Sequence, residues 1–301
     1  AFAKASEDFG KVVQTVYYEN EESSEGTYPI PLLKNSAAEI GSVSSSLDKS
    51  DRVARRNLLR TNAGNKELSL ALASLKTAGE EIGNSQIPSA KDGGMYIKYV
   101  DDLARFVPYS AKSILTSEAA LENGSEKAAE DFIPPEQFKD NFVFFALYAP
   151  GLFDVCATPV SSTYPGVGVH ACQLNSILNG DYLQDIPVFV PVILILLSVL
   201  AGFMLAKSVH QEKNSSLTLK TLLAVLLCLA YAAANYAAFN SGYILPLIIP
   251  IFGFVLAYLT AVFEDYLTEG HQKRFIKSAF KHYLSADVIE QLIANPESLH
   301  L

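Results

Sequence analysis

The chain has 301 residues with 23 Lys+Arg against 32 Asp+Glu, a net charge of −9, and only 18% charged residues beside 50% hydrophobic ones. A soluble domain carries about 25% charged residues, so the chain is too apolar to be one ordinary globule. Its acidic balance argues against a nucleic-acid binder, and its hydrophobic content excludes disorder. Divided after residue 186, all the net charge falls on the first part, which holds 16 Lys+Arg against 25 Asp+Glu; the remainder holds 7 against 7.

From the N-terminus, Val12–Tyr18, Arg52–Leu59, Gly94–Val100 and Phe142–Ala149 are β-rich runs of strand length. Between them, Lys66–Thr77, Pro108–Thr116 and Glu118–Asp131 read as helices, the first with an apolar stripe at Leu68, Ala71, Leu72 and Leu75. Val169–Leu178 is a further helix. The alternation predicts an α/β domain over residues 1–186, with Glu19–Gly26 and Leu121–Glu130 as solvated loops.

Three apolar runs follow: Pro187–Ala206, Leu217–Phe239 and Tyr243–Phe263. Each reaches the roughly 20 residues needed to cross about 30 Å of hydrocarbon. Their one charge, Lys220, lies near an end where it can snorkel. Pro191, Pro246 and Pro250 sit in first turns, where proline costs little. Ala230, Ala234 and Ala238 make a small-residue stripe beside Asn235, a pattern that predicts helix packing. No Asp, Glu, Arg or His lies mid-span, which argues against an ion-coupled transporter.

Lys207 and Lys213 follow the first span, the uncharged Asn240-Ser241-Gly242 turn follows the second, and Lys273, Arg274, Lys277 and Lys281 follow the third. The positive-inside rule then puts the first connection and the C-terminal tail in the cytoplasm, and the acidic domain outside a cytoplasmic (inner) membrane. Soluble parts on opposite sides fit a signal crossing the membrane, and fit a transporter fragment or a simple anchor as well. The first ten residues lack the basic, apolar and cleavage regions of a signal peptide, so an upstream export signal is expected; the last six, PESLHL, read as a cut.

In the tail, Phe275, Ile276, Ala279, Phe280, Tyr283 and Leu284 form one apolar face on a helix whose other face is Lys-rich. Ser285 fits the N-cap of a second helix that runs to Asn295-Pro296. The stripe predicts a homodimer through this helix and the membrane region; contact with membrane lipid is the alternative.

One segment of the outward domain is organised by more than pattern. An apolar strand leads into Gly151, Asp154 and Thr158-Pro159, then through Pro165-Gly166-Val167-Gly168-Val169-His170-Ala171 into a helix. These residues resemble the extracellular type-two CHASE sensory family, whose strand is followed by a glycine, an aspartate, a Thr-Pro pair and a Pro-Gly-Val-x-x-His-Ala turn. Upstream, Leu47 to Arg56 is similar to the family's Asp-x-Asp-Gly-Val-x-Arg region, with an insertion and Arg52 at the usual glycine. The resemblance covers residue 12 to about 186 and the order of the three spans. It implies a sensory domain for an unknown extracytoplasmic ligand, with Asp48, Asp51, Arg55, Gly151, Asp154, Thr158, Pro159, Pro165, Gly166 and His170 at motif positions.

Read from the residues alone, Asp48, Asp51 and Arg55 either bind a polar ligand or pair along a strand edge, and surface ion pairs are the commoner case. His170 either senses pH or ligates a metal, or makes a structural hydrogen bond; it has no partner His or Cys at ligand spacing. Cys156 and Cys172 face the oxidising side, where a disulfide is permitted by compartment. No Ser-His-Asp, Cys-His or HExxH arrangement reads as catalytic, so no catalytic, cofactor-binding or metal-binding residue is expected in this chain.

The tail from Lys273-Arg274-Phe275 through Phe280 to Tyr283-Leu284-Ser285 and Val288 resembles the linker preceding the catalytic domain of adenylate cyclases. That resemblance implies a class III cyclase domain beyond Leu301, acting on ATP with Mg²⁺ or Mn²⁺ to make cyclic AMP. A histidine or Ser/Thr kinase output, and a non-signalling anchor, are the alternatives. The expected architecture is an α/β extracytoplasmic sensory domain (1–186), an all-α region of three transmembrane helices (187–206, 217–239, 243–263) and a cytoplasmic amphipathic transducer helix (264–301).

Overall fold

The computed structural model describes residues 1–19, 23, 25–61, 67–80, 87–89, 93–101, 103–124, 131–147, 154–207 and 217–280, without the side chains of 217, 269, 272, 273 and 276–280. The chain divides into two compact units, Ala1–Gln184 and Asp185–Leu301.

The first unit is a mixed α/β body. In chain order it contains α1 (Phe2–Phe9), β1 (Val13–Val16), α2 (Pro31–Asn35), β2 (Glu39–Ser42), β3 (Arg56–Leu58), α3 (Leu70–Ala78), β4 (Gly94–Tyr96), α4 (Ala111–Glu122), β5 (Val155–Cys156), β6 (Tyr164–Pro165) and α5 (Gly166–Asn179). β1 and β2 pair in parallel, Val13 opposite Glu39, while β3–β4 and β5–β6 pair antiparallel.

α3 begins where the Ser69 side chain accepts a hydrogen bond from Leu72 N–H, and it ends at Gly79, whose φ of 87° is cheap only for glycine. Its Ala71, Leu72 and Leu75 pack with Leu174 and Ile177 of α5 and with Leu59 and Met95 into the main core. α5 is largely buried, and three of its polar residues are enclosed: His170, Gln173 and Ser176 recur at three-residue spacing. Asn57 Nδ2 donates to Gln173 Oε1 at 3.0 Å, and Ser176 Oγ accepts from Lys98 N–H, so strand-side groups partner Gln173 and Ser176.

Several expected elements shift. β2 and its parallel pairing escape the period-2 pattern, because Glu39-Ile40-Gly41-Ser42 carries a single large apolar residue. Gly41 is required there: a β-carbon would stand 2.8 Å from the Leu70 backbone of α3. The expected Arg52–Leu59 strand shrinks to β3, because 48–53 form a turn. Among the described residues of the two expected helices at 108–131 there is one helix, α4, which crosses Ser117 without a break, while 125–130 lie outside the described residues. Residues 142–147 of the expected Phe142–Ala149 strand form no ladder. Their alternation survives as packing, with Phe142 and Phe144 against the core and Val143, Phe145 and Leu147 exposed.

Among its described residues the second unit contains three helices long and apolar enough to cross a membrane: α6 (Phe189–Lys207), α7 (Leu217–Asn240) and α8 (Ile248–Phe280). Against expectation, the third begins at Ile248 rather than Tyr243, because Tyr243–Ile244 are extended. It then runs past Phe263 as one helix through the charged residues to Phe280. Within this chain Ala230 and Ala234 of the α7 alanine stripe are exposed and Ala238 is half-buried. Tyr231 Oη–H and Asn235 Nδ2 donate to the Pro246 carbonyl, at 2.6 and 3.4 Å. That carbonyl is free because the residue four positions on, Pro250, has no N–H to offer it. α6 and α8 approach closely, and a β-carbon on Gly202 would overlap the Phe254 carbonyl.

Candidate ligand-binding cavity

A cavity of about 690 Å³ opens in the first unit where β1 and β2 end. This is the size of a small-molecule site, and loops beyond the carboxyl ends of parallel strands are where such sites form. β1 continues into Tyr17, Tyr18 and Glu19, and β2 into a run from Val43 to Leu47; both line the cavity. The two exits are held together by Val43 N–H donating to the Val16 carbonyl at 3.0 Å, and by Ser44 Oγ, which accepts from Tyr18 N–H at 2.8 Å. The remaining wall comes from Arg52, from Phe144 to Leu147, from Asp154 and Cys156 at β5, and from Gly166, Val167 and His170 of α5.

The Pro165–Ala171 motif has a steric explanation at this wall. Asp154 accepts Gly166 N–H at its backbone carbonyl, 2.8 Å, while its carboxylate lies against the first turn of α5. The helix N-terminus favours that negative charge. Gly168 makes room for the Tyr164 ring and for Leu103, whose nearest atoms would stand 2.7 and 2.9 Å from a β-carbon. Pro165 provides the extended residue ahead of the helix.

His170 is 4% exposed, and its Nδ1 has no hydrogen-bond partner among the described residues. Burial lowers its pKa to about 4 from 6.5, against the opposing pull of the Val43 backbone, so the ring is neutral near pH 7. Arg52 has φ of 58°, the left-handed region that favours glycine, and this strained position sets the residue into the cavity wall.

The other sequence-level candidates stand elsewhere. Arg55 pairs with Asp48 at 2.5 Å and with Asp51 at 2.6 Å, and none of the three lines the cavity. The hydrogen bonds from Arg55 hold the Asp51 carboxyl down at about 2. Thr158 is buried and closes a turn, its N–H donating to the Ser161 carbonyl at 2.8 Å with Pro159 between them. Gly151 lies outside the described residues, as do Tyr283 and Leu284 of the tail stripe; Phe275 is exposed, and the side chains of Ile276, Ala279 and Phe280 are not described.

Cys156 and Cys172, the pair for which the sequence allowed a disulfide, are not bonded to each other in this structure. Cys156 and Cys172 are free thiols in one cluster with Tyr164, whose hydroxyl lies 3.2 Å from Cys172 Sγ. Burial raises both thiols, Cys156 to about 11, which makes them poor nucleophiles. Sequence reasoning missed Arg52 as a cavity residue, and also the serines of the β2 exit. The sequence signal was there in an arginine at a position where glycine is usual.

A family model for the CHASE2 domain matches residues 1–205. No curated protein and no solved structure matches the chain.

Proposed function

The chain belongs to the CHASE2 domain family, and from that premise we propose that it receives an extracytoplasmic signal and passes it across the membrane to a C-terminal class III adenylate cyclase. One observation carries the transmission step: α8 is a single helix of 33 residues from apolar Ile248 to Phe280. At about 1.5 Å per residue it reaches roughly 50 Å, longer than the hydrocarbon core. Any shift or rotation of its membrane-embedded part is therefore delivered to its charged end without a hinge. Lys207, at the end of α6, pairs with Glu264 at 3.1 Å and Asp265 at 2.8 Å, which ties the first span to the third where α8 leaves its apolar stretch.

The positive-inside pattern supports a cytoplasmic tail, and the Phe275–Leu284 stripe supports a homodimer in which two tails set the spacing of two output domains. The resemblance of Lys273–Val288 to cyclase linkers supports cyclic AMP synthesis from ATP, with Mg²⁺ or Mn²⁺ held by the output domain and not by this chain.

The test uses the full-length gene product in membranes. It is expected to form cyclic AMP, while residues 1–301 alone form none. Inserting two residues between Leu267 and Thr268 turns the tail by about 200° and is expected to change output several-fold; seven residues, about two full turns, preserve it. ATP-dependent autophosphorylation without cyclic AMP would assign the output to a kinase, and no ATP-dependent output would leave an anchor.

A further inference from the structure

The charged groups of the cavity are not matched to one another. Among its described lining residues Arg52 is positive and Glu19 and Asp154 are negative. Arg52 sits in a turn whose two acids are already engaged: Asp48 and Asp51 both bind Arg55. Among the described residues Arg52 forms no ion pair within 4.0 Å, and neither do Glu19 or Asp154. Asp154 has the helix terminus beside it but no cation. The same wall carries an enclosed His170 whose Nδ1 has no hydrogen-bond partner among the described residues. Between these groups lie the serines of the β2 exit and the apolar Phe144, Leu47 and Leu58.

An anion alone would meet Arg52 but also two carboxylates; a cation alone would meet the carboxylates and Arg52. A molecule with both charges and an apolar body meets Arg52, one of the two carboxylates and the apolar wall at once. We infer that the cavity binds a small zwitterion of the α-amino-acid class with an apolar side chain, its carboxylate on Arg52 and its ammonium on Asp154. This rests on the reading of the first unit as a ligand-receiving domain, and gives that reading a ligand chemistry. The left-handed Arg52 has a purpose on this view, since a glycine in the same turn would leave the carboxylate without a counter-charge.

The experiment compares three probes on the purified full chain in detergent, by ligand-observed NMR and thermal shift: L-phenylalanine, 3-phenylpropionate, which lacks the ammonium, and phenethylamine, which lacks the carboxylate. Phenylalanine is expected to bind at least tenfold more tightly than either. Arg52→Gln is expected to remove its advantage over phenethylamine, and Asp154→Asn its advantage over phenylpropionate. The comparison of probes on the unaltered chain needs no variant, so a misfolded Asp154→Asn leaves the test intact. Equal binding of either analogue overturns the zwitterion while leaving a ligand-binding cavity and the sensor reading standing. Binding of none of the three also overturns it, and the sensor reading is then judged by output of the full-length protein alone.

Discussion

Asp154 and Gly166 are packed so closely that a β-carbon on the glycine would lie 2.6 Å from the aspartate's carboxylate carbon. The two residues the motif holds twelve positions apart are thus one unit, a carboxylate seated on the first turn of α5. Gly166→Ala meets only the end of the exposed Asp154 side chain and turns it off the first turn of α5, so a loss of about 0.3–1 kcal/mol is expected, the usual worth of a carboxylate at a helix N-terminus. Thermal unfolding of the full chain measures it, and an unchanged midpoint would show that the contact yields freely.

Arg52 makes the opposite prediction. With φ of 58° it occupies a conformation glycine adopts without penalty, so Arg52→Gly is expected to stabilise the fold, by about 1 kcal/mol. Denaturant unfolding of both proteins decides it. A gain in stability accompanied by loss of ligand binding is the signature of a strained functional residue.

The Asn57–Gln173 hydrogen bond is fully enclosed, both residues being no more than 1% exposed. Asn57→Leu leaves Gln173 Oε1 without its donor and is expected to cost about 1–3 kcal/mol. Adding Gln173→Met removes the orphaned group, and the double variant is expected to recover part of the loss. Strictly additive losses would mean that the two side chains act independently.

His170 sets a pH dependence. Its folded pKa of about 4 lies below the 6.5 of the free side chain, so between these values the unfolded chain binds the extra proton. Stability from the neutral ring is therefore complete above about 6.5 and declines as the pH falls toward 4, by up to about 3 kcal/mol. The charged groups sharing its cavity are Glu19, Arg52 and Asp154. Unfolding free energies at pH 4.5 and 7 should differ more for the natural chain than for His170→Gln; equal differences would rule the histidine out.

In the membrane unit, Gly202 lies under the Phe254 carbonyl. Gly202→Leu is expected to push α6 from α8 and to lower the thermal midpoint in detergent by several degrees. Leu196→Ala, on an exposed site of the same helix, is the control and should leave it unchanged.

Much of the fold was legible because it depends on local pattern. The apolar runs marked α6 and α7 to within a few residues, since a lipid-facing helix must be apolar along its length. Val169–Leu178 and Leu68–Leu75 marked most of α5 and α3 by their periodicity. What could not be read was non-local. β2 carries almost no strand pattern, because its Gly41 is chosen by the nearby helix backbone. Phe142–Leu147 has a strong strand pattern yet forms no ladder, because an alternating sequence dictates which side chains go inward and not whether an edge is available.

At the site the division is the same. Motif resemblance singled out Asp154, Gly166 and His170, which the cavity does bring together. It also singled out Asp48, Asp51 and Arg55, which pair with one another outside it. Arg52 lies among those three in sequence and faces a different environment, because a single left-handed residue changes the direction of the chain.

By itself, the sequence determined the class of the protein: an acidic α/β domain, three apolar spans and a basic segment following the last of them, since hydropathy and charge act residue by residue. Only the tertiary structure decided which charges are already paired, which polar atoms are enclosed without partners, and that the third span continues unbroken to Phe280. Those properties depend on neighbours distant in the chain, and on the absence of any break in helical hydrogen bonding, neither of which a local pattern encodes.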